Sequence, residues 1–215
     1  MKNVVLNELK ILLANYPELS VCEEEILASF ELMNDCYLHG GLIMTCGNGG
    51  SAADAGHIVG ELMKGFKLKR RLTDEQREKI KKTFPVNGDY LADNLQQAIP
   101  ALSLSDQAPI TSAFINDIAA DMVFAQQVFG YGKKGDVLIG LSTSGNSKNV
   151  VNACRIAGTC GVKTIGMTGE AGGEMYDICN VTIRVPATAT YRVQEYHLPV
   201  YHTLCAMIEA AFFSD

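Results

Sequence analysis

The chain has no run of about 18 apolar residues, so none of its helices is expected to cross a membrane. Its first residues, Met1-Lys2-Asn3-Val4, lack the charged and apolar regions of a secretory leader, which sets the expectation of a cytosolic, cytoplasmic protein. A basic excess is missing too. With 18 Lys and Arg against 24 Asp and Glu the formal charge is -6, the wrong sign for general nucleic-acid binding. No Cys-x-x-Cys spacing occurs among Cys22, Cys36, Cys46, Cys154, Cys160, Cys179 and Cys205. An odd, scattered set lying mostly inside apolar runs reads as reduced core thiols and not as a zinc cluster. At 215 residues and 47% hydrophobic, what is present suffices for one domain with a full core and attachments.

Apolar positions recur every three and four residues over 4–15 and 21–38, parted by Asn15-Tyr16-Pro17. This spacing predicts an N-terminal helical hairpin over residues 1–39. Short apolar runs follow at Leu42 to Cys46, Asp136 to Leu141, Val162 to Met167 and Val181 to Val185, mostly with helical patterns between them. That alternation predicts an α/β fold whose parallel sheet is covered on both faces. A fifth strand is expected over Ala98 to Leu104, weakened by Pro100. The stretch from about Tyr191 to Phe213 is helical in period and interrupted by Pro199, which removes the bond back to Glu195 and is expected to kink it. Residues 67–97 break the rhythm. Eight of the 18 basic residues fall between Lys67 and Lys82 against only Asp74, Glu75 and Glu78. Two readings stand: a solvated amphipathic helix with internal ion pairs, or a lid or partner surface beside a ligand site.

Two turns carry the chemistry. Thr45-Cys46-Gly47-Asn48-Gly49-Gly50-Ser51 and Gly140-Leu141-Ser142-Thr143-Ser144-Gly145-Asn146-Ser147 each follow an apolar run and open a helical one. Glycines let the backbone approach an anion, while hydroxyls and amides at a helix N-terminus donate to it and the helix dipole favours its charge. A phosphorylated ligand is therefore expected, with Ser142, Ser144 and Ser147 as anchors ahead of a helix starting near Lys148. Ser51 and Asp54 resemble a capping pair, placing a helix from Ala52 to about Lys64. On it His57 and Glu61 stand one turn apart, so imidazole and carboxylate can converge on one metal ion or one substrate carbon. A second polar cluster, Gln194-Glu195-Tyr196-His197-Leu198-Pro199-Val200-Tyr201-His202, lies in the last helix.

With Gly47 to Ala55, His57 and Glu61, Asn116-Asp117, Gly135 to Leu138, Ser142 to Ser147, Thr168-Gly169 with Gly172-Gly173, and Arg192 to Glu195 with His202 in this order, the chain resembles the sugar isomerase (SIS) domain family. Within that family it is similar to the phosphoheptose isomerases, which interconvert sedoheptulose 7-phosphate and D-glycero-D-manno-heptose 7-phosphate. The resemblance covers most of the chain. It implies a three-layer αβα sandwich, doubly wound around a parallel sheet, and a homotetramer with active sites between subunits. It further implies that Ser142, Thr143, Ser144 and Ser147 hold phosphate, that Asn48, Gly49, Gly50, Ser51, Asn116, Asp117, Glu61 and Gln194 face the sugar, and that His57, Glu61, Gln194 and His202 bind zinc. Glu61 and His202 match the acid and base positions.

The chain also departs from its relatives' usual pattern. Lys64-Gly65-Phe66 replaces a usual Gly-Arg-Phe, Tyr191 replaces a usual aspartate, and residues 73–97 look like an insertion. Gln194 and His202 are eight residues apart, ~12 Å along an ideal helix, so a kink at Pro199 or a second subunit would have to join them. Two alternatives to the heptose reaction remain. One is a non-catalytic SIS protein that binds a phosphosugar or a partner such as a replication initiator, and the other is an isomerase of a different ketose phosphate.

Overall fold

Alternate residues of each strand enter two separate cores, and this sorts the helices into two layers. The computed structural model describes residues 2–214. Its strands β1 (Ile43–Cys46), β2 (Ala101–Ser103), β3 (Val137–Leu141), β4 (Lys163–Gly169) and β5 (Val181–Val185) form one wholly parallel sheet in the order β2-β1-β3-β4-β5. Ile43, Ile139, Ile165 and Ile183 face the first core, shared with α1 (Asn3–Asn15), α2 (Glu23–Leu38), α3 (Gly50–Met63) and α10 (Thr190–Phe213). Met44, Cys46 and Leu138 face the second, with α7 (Val123–Tyr131), α8 (Lys148–Thr159) and α9 (Gly173–Ile178). The result is the expected αβα sandwich. A 3₁₀ turn over Pro17–Cys22 joins α1 to α2, and Tyr37 of α2 stacks edge-on against Phe212 of α10 with centroids 4.5 Å apart.

Two details correct the sequence reading. The fifth strand spans only Ala101–Ser103 because Pro100 has no N–H for the ladder, although its carbonyl accepts from the Ile43 amide at 3.0 Å. As β2 is an edge strand, this loss is tolerated. The helix after the first turn begins at Gly50 and not Ala52, and Ser51 and Asp54 do not cap it. Gly49, at φ +56°, supplies the turn instead. The last helix, α10, runs through Pro199 without a break in its helical assignment.

The basic segment forms α4 (Asp74–Thr83) and α5 (Gly88–Asn94), which pack on each other. Thr73 and Gln76 make a reciprocal capping box, no residue of α4 is buried, and Lys81 pairs with Asp89 at 2.8 Å and Arg77 with Asp93. These features suit a solvated helix with internal ion pairs. The seven cysteines are free thiols, five of them buried. Burial pushes Cys22 up to about 11 and Cys36 and Cys205 up to about 12, which suits inert packing groups. Among the described residues no helix is long and apolar enough to cross a membrane.

The strand order fixes where a ligand can enter. β1 and β3 are neighbours, with Cys46 opposite Gly140, yet α3 leaves β1 toward one layer and α8 leaves β3 toward the other. Their turns diverge and open a crevice beyond the carboxyl ends of the strands, the usual ligand position in an open parallel sheet.

Candidate active site

Both glycine-rich turns line this crevice and are tied across it. Asn48 and Asn149 exchange side-chain amide hydrogen bonds at 2.9 and 2.8 Å. In the second turn the Ser142 hydroxyl donates to Ser147 Oγ at 2.9 Å, the Ser147 amide donates back to Ser142 Oγ at 3.3 Å, and the Asn146 amide donates to Ser144 Oγ at 3.2 Å. Three hydroxyls therefore gather immediately before the first turn of α8, where helix amides and dipole favour an anion. Thr143 is braced, its carbonyl accepting from Gly169 N at 3.0 Å. Gly49 and Gly50 are exposed at the mouth, and Ser51 is buried beneath them. A Cβ on Gly50 would lie 2.6 Å from the Gln194 amide nitrogen, so Gln194 belongs to this end of the site. Asn116 and Asp117 end α6 (Ala108–Asp117), exposed, with the Asn116 amide donating to Asp117 Oδ1 at 2.7 Å.

Two helical turns along α3 from its start, ~10 Å at 1.5 Å per residue, stands the second cluster. His57 Nε2 lies 3.2 Å from Glu61 Oε1 and 3.4 Å from His202 Nε2 of α10. Helical spacing brings the first pair together, and the packing of α3 on α10 brings in the third. Burial lowers the pKa of His202, and a charge on the neighbouring His57 would lower it further. Phe66 covers it at 5.3 Å between centroids, and a cavity of about 250 Å³ lined by Phe66, Lys67, Pro199 and His202 opens beside it. Behind His57, the Tyr201 hydroxyl sits 3.0 Å from Nδ1 and donates to Asp54 Oδ1 at 3.2 Å. Burial raises Asp54, while the Tyr201 hydrogen bond opposes it.

A buried ion pair locks the two helices together. Arg70, fully enclosed despite its basic neighbourhood, donates from Nε to Glu209 Oε1 at 2.8 Å, from Nη1 to Leu62 O at 2.6 Å and from Nη2 to Glu61 O at 3.0 Å. It thus satisfies carbonyls that the end of α3 would leave unpaired. Glu209, one heptad beyond His202, also accepts from the amides of Phe66, Lys67 and Leu68 at 2.8, 2.7 and 2.9 Å. Although burial works to raise Glu209, these amides and Arg70 hold it below the usual carboxylate range. The helix carrying Glu61, the strap carrying Phe66 and the helix carrying His202 therefore form one braced unit.

Nitrogen and carboxylate donors of this kind suit zinc. Donors ~2.1 Å from a tetrahedral ion lie ~3.4 Å from each other, and the two measured separations of 3.2 and 3.4 Å match such edges. Among the described residues no group of three or more His, Cys, Asp or Glu side chains is set to hold a metal ion as it stands. His57, Glu61, Gln194 and His202 are the residues the sequence singles out, whereas it assigns no role to Tyr201, Arg70 or Glu209.

The profile of the SIS domain family matches residues 18–82 and 91–169, leaving out only part of the α4–α5 segment between them. Among curated proteins, the phosphoheptose isomerase of a Nitratiruptor species is 42% identical over 170 residues, 79% of this chain and 77% of that one. The phosphoheptose isomerase of Akkermansia muciniphila is 34% identical over 213 residues, 99% of each chain. The solved structure of the phosphoheptose isomerase of Neisseria gonorrhoeae superposes with a TM-score of 0.73 at 30% identity, over 95% of this chain and 94% of its own.

Proposed function

As the chain belongs to the SIS domain family, where its relatives at 34–42% identity are phosphoheptose isomerases, we propose that it interconverts sedoheptulose 7-phosphate and D-glycero-D-manno-heptose 7-phosphate. It is an aldose–ketose isomerase in this reading, and the observation that carries it is the convergence of His57 and Glu61, on the helix that leaves the glycine-rich turn, with His202 of α10. A pure phosphosugar binder has no need of a base and an acid placed beside its anion site.

The reaction moves one proton between adjacent carbons and leaves the sugar's overall oxidation state unchanged. Ser142, Ser144 and Ser147 hold the phosphate and so set the far end of the sugar toward α3 and α10. Glu61 takes the proton from C1 of the ketose as His202 gives one to the C2 oxygen, forming an enediol. The O1 proton then passes to His202 and Glu61 returns its proton to C2, yielding the aldose. Zinc, held mainly by His57 with Glu61 and His202 as further donors and with Gln194 supplied by a second subunit, would polarise the sugar oxygens when bound. Glu61 and His202 lie at a half-closed surface covered by Phe66, and Arg70 and Glu209 keep them in register.

Turnover measured on a panel of sugar phosphates tests the assignment. Activity confined to the heptose supports it, preference for another ketose phosphate moves the substrate while keeping the chemistry, and inertness toward all of them favours the binding-module alternative. Ser144→Ala is expected to raise the apparent Kd for the sugar phosphate about 10- to 100-fold, through loss of one hydrogen bond to a charged group worth roughly 1.5–3 kcal/mol. Unchanged affinity by calorimetry would remove Ser144 from the anchor.

The same proposal includes a cytoplasmic homotetramer, in keeping with seven free thiols. Ile110, Ile115 and Ile118 on and just beyond α6, and Val4 and Ile11 on α1, are exposed apolar side chains that a second copy would cover. Light scattering at micromolar concentration should give about four chain masses. A monomer would contradict it.

A further inference from the structure

We propose that Tyr201 and Asp54 are positioning residues that fix a proton on His57 Nδ1 and turn the bare Nε2 toward Glu61 and His202, keeping a cation seat open between them. The assignment rests on the isomerase reading of this site for its catalytic consequence, though not for its geometry. An ionised carboxylate can only accept, so the single proton of the Tyr201 hydroxyl goes to Asp54 Oδ1 at 3.2 Å. The phenolic oxygen then has only lone pairs left for His57 Nδ1 at 3.0 Å, which must therefore supply the proton.

Packing makes the arrangement rigid. Tyr201 is 1% exposed, held among the core residues of α10, and its ring meets His57 edge-on at 5.5 Å. His57 is thereby gripped from behind while its other nitrogen faces the crevice. In the neutral ring with Nδ1 protonated, the Nε2 lone pair and Glu61 Oε1 oppose each other at 3.2 Å, a contact that is favourable only with positive charge between them. Without the tyrosine hydroxyl the ring would place its proton on Nε2, donate it to Glu61, and close the seat with a neutral imidazole–carboxylate hydrogen bond. Tyr201 thus decides whether His57 and Glu61 bind each other or hold something between them.

The direct reading is the protonation of the His57 ring nitrogens by long-range ¹H–¹⁵N correlation in the metal-free full chain. At roughly pH 8.5, about two units above the ordinary imidazole value, a chain with four histidines gives an assignable spectrum, His57 being identified by its loss in His57→Gln. The wild type is expected to carry its proton on Nδ1, and Tyr201→Phe on Nε2. Zinc affinity by calorimetry should fall about 10- to 100-fold in Tyr201→Phe, as is usual when the group behind a metal-binding histidine is removed. Turnover should fall at least tenfold with KM within about threefold, because the phosphate turn is untouched. Tyr201→Phe deletes one oxygen from a ring that keeps its shape. If it nonetheless fails to fold, Asp54→Ala, which removes the acceptor at the half-buried end of the relay and frees the Tyr201 proton for the ring, is read the same way and is expected to bare Nδ1. A wild-type Nδ1 without a proton, or a Tyr201→Phe ring that keeps the proton on Nδ1, overturns the assignment. A wild type with the expected ring but no turnover of any sugar phosphate overturns the isomerase reading alone.

Discussion

Glu61→Gln and His202→Ala are each expected to cut isomerisation about 10²- to 10⁴-fold, the usual loss when a general base or acid is removed, while phosphate affinity stays as in the wild type. The separation follows from the layout. The anion turn leaves β3 toward α8, whereas Glu61 and His202 sit on α3 and α10 in the opposite layer, so neither substitution touches Ser142 to Ser147. Glu61→Gln keeps size and hydrogen-bonding capacity but not basicity. His202→Ala also opens space beneath Phe66, so a modest fall in stability is expected with it, and the turnover loss should be compared with a melting curve. Because the two residues act on one enediol, the double variant should lose far less than the product of the single losses. Full turnover by both single variants would sink the acid–base assignment and favour a protein that binds phosphosugars without changing them.

How much of this was readable beforehand depends on how local each signal is. The strands were legible because a parallel strand covered on both faces is a continuous apolar run, and β1 and β3 are buried throughout. Over Ala98 to Leu104 the same pattern overreached, and the weakness that Pro100 marks in the sequence became the point before which no strand forms. His57 and Glu61 could be paired from their spacing within one helix, and the serine turn from its composition. The capping signature at Ser51 and Asp54 misled. A left-handed glycine opened the helix, freeing Asp54 for Tyr201, 147 residues away. Contacts between distant helices leave almost no local trace. His202 was placed only through resemblance, and Tyr201, though adjacent to it, carried no spacing that pointed at His57. Arg70 was hidden differently, as one cation in a run of eight. The available clue was its complement, Glu209, a lone carboxylate in the apolar end of α10 that had to find a buried partner.

The second large effect expected is structural and falls on the anion site: Gly145→Ala should destabilise the protein by about 3 kcal/mol or more and weaken phosphate binding at least tenfold. Gly145 sits at φ +69°, a conformation that costs an alanine roughly 1–2 kcal/mol by itself. The site also leaves no room, because a Cβ would overlap the carbonyl of Gly172 and press on Gly173 N, all of it backbone that cannot rotate away. Nor can the turn shift freely. The Gly145 amide donates to Ser142 O at 2.9 Å and its carbonyl accepts from Met175 N at 3.1 Å, so relief of the overlap moves either the serine hydroxyls or the start of α9. Against a typical total of about 5–15 kcal/mol, such a loss is large enough to read directly as a lower urea midpoint. Gly130→Ala on α7 is the matched control: nothing lies within 4 Å of its Cβ position and its φ is ordinary, so stability should hold or rise by up to about 1 kcal/mol. The comparison isolates the cause, since both variants add one methyl group but only one adds it against the turn that holds the anion. A Gly145→Ala protein that unfolds with the control and binds inorganic phosphate as the wild type does would show that the close approach of Gly145 to Gly172 does not shape the anion site.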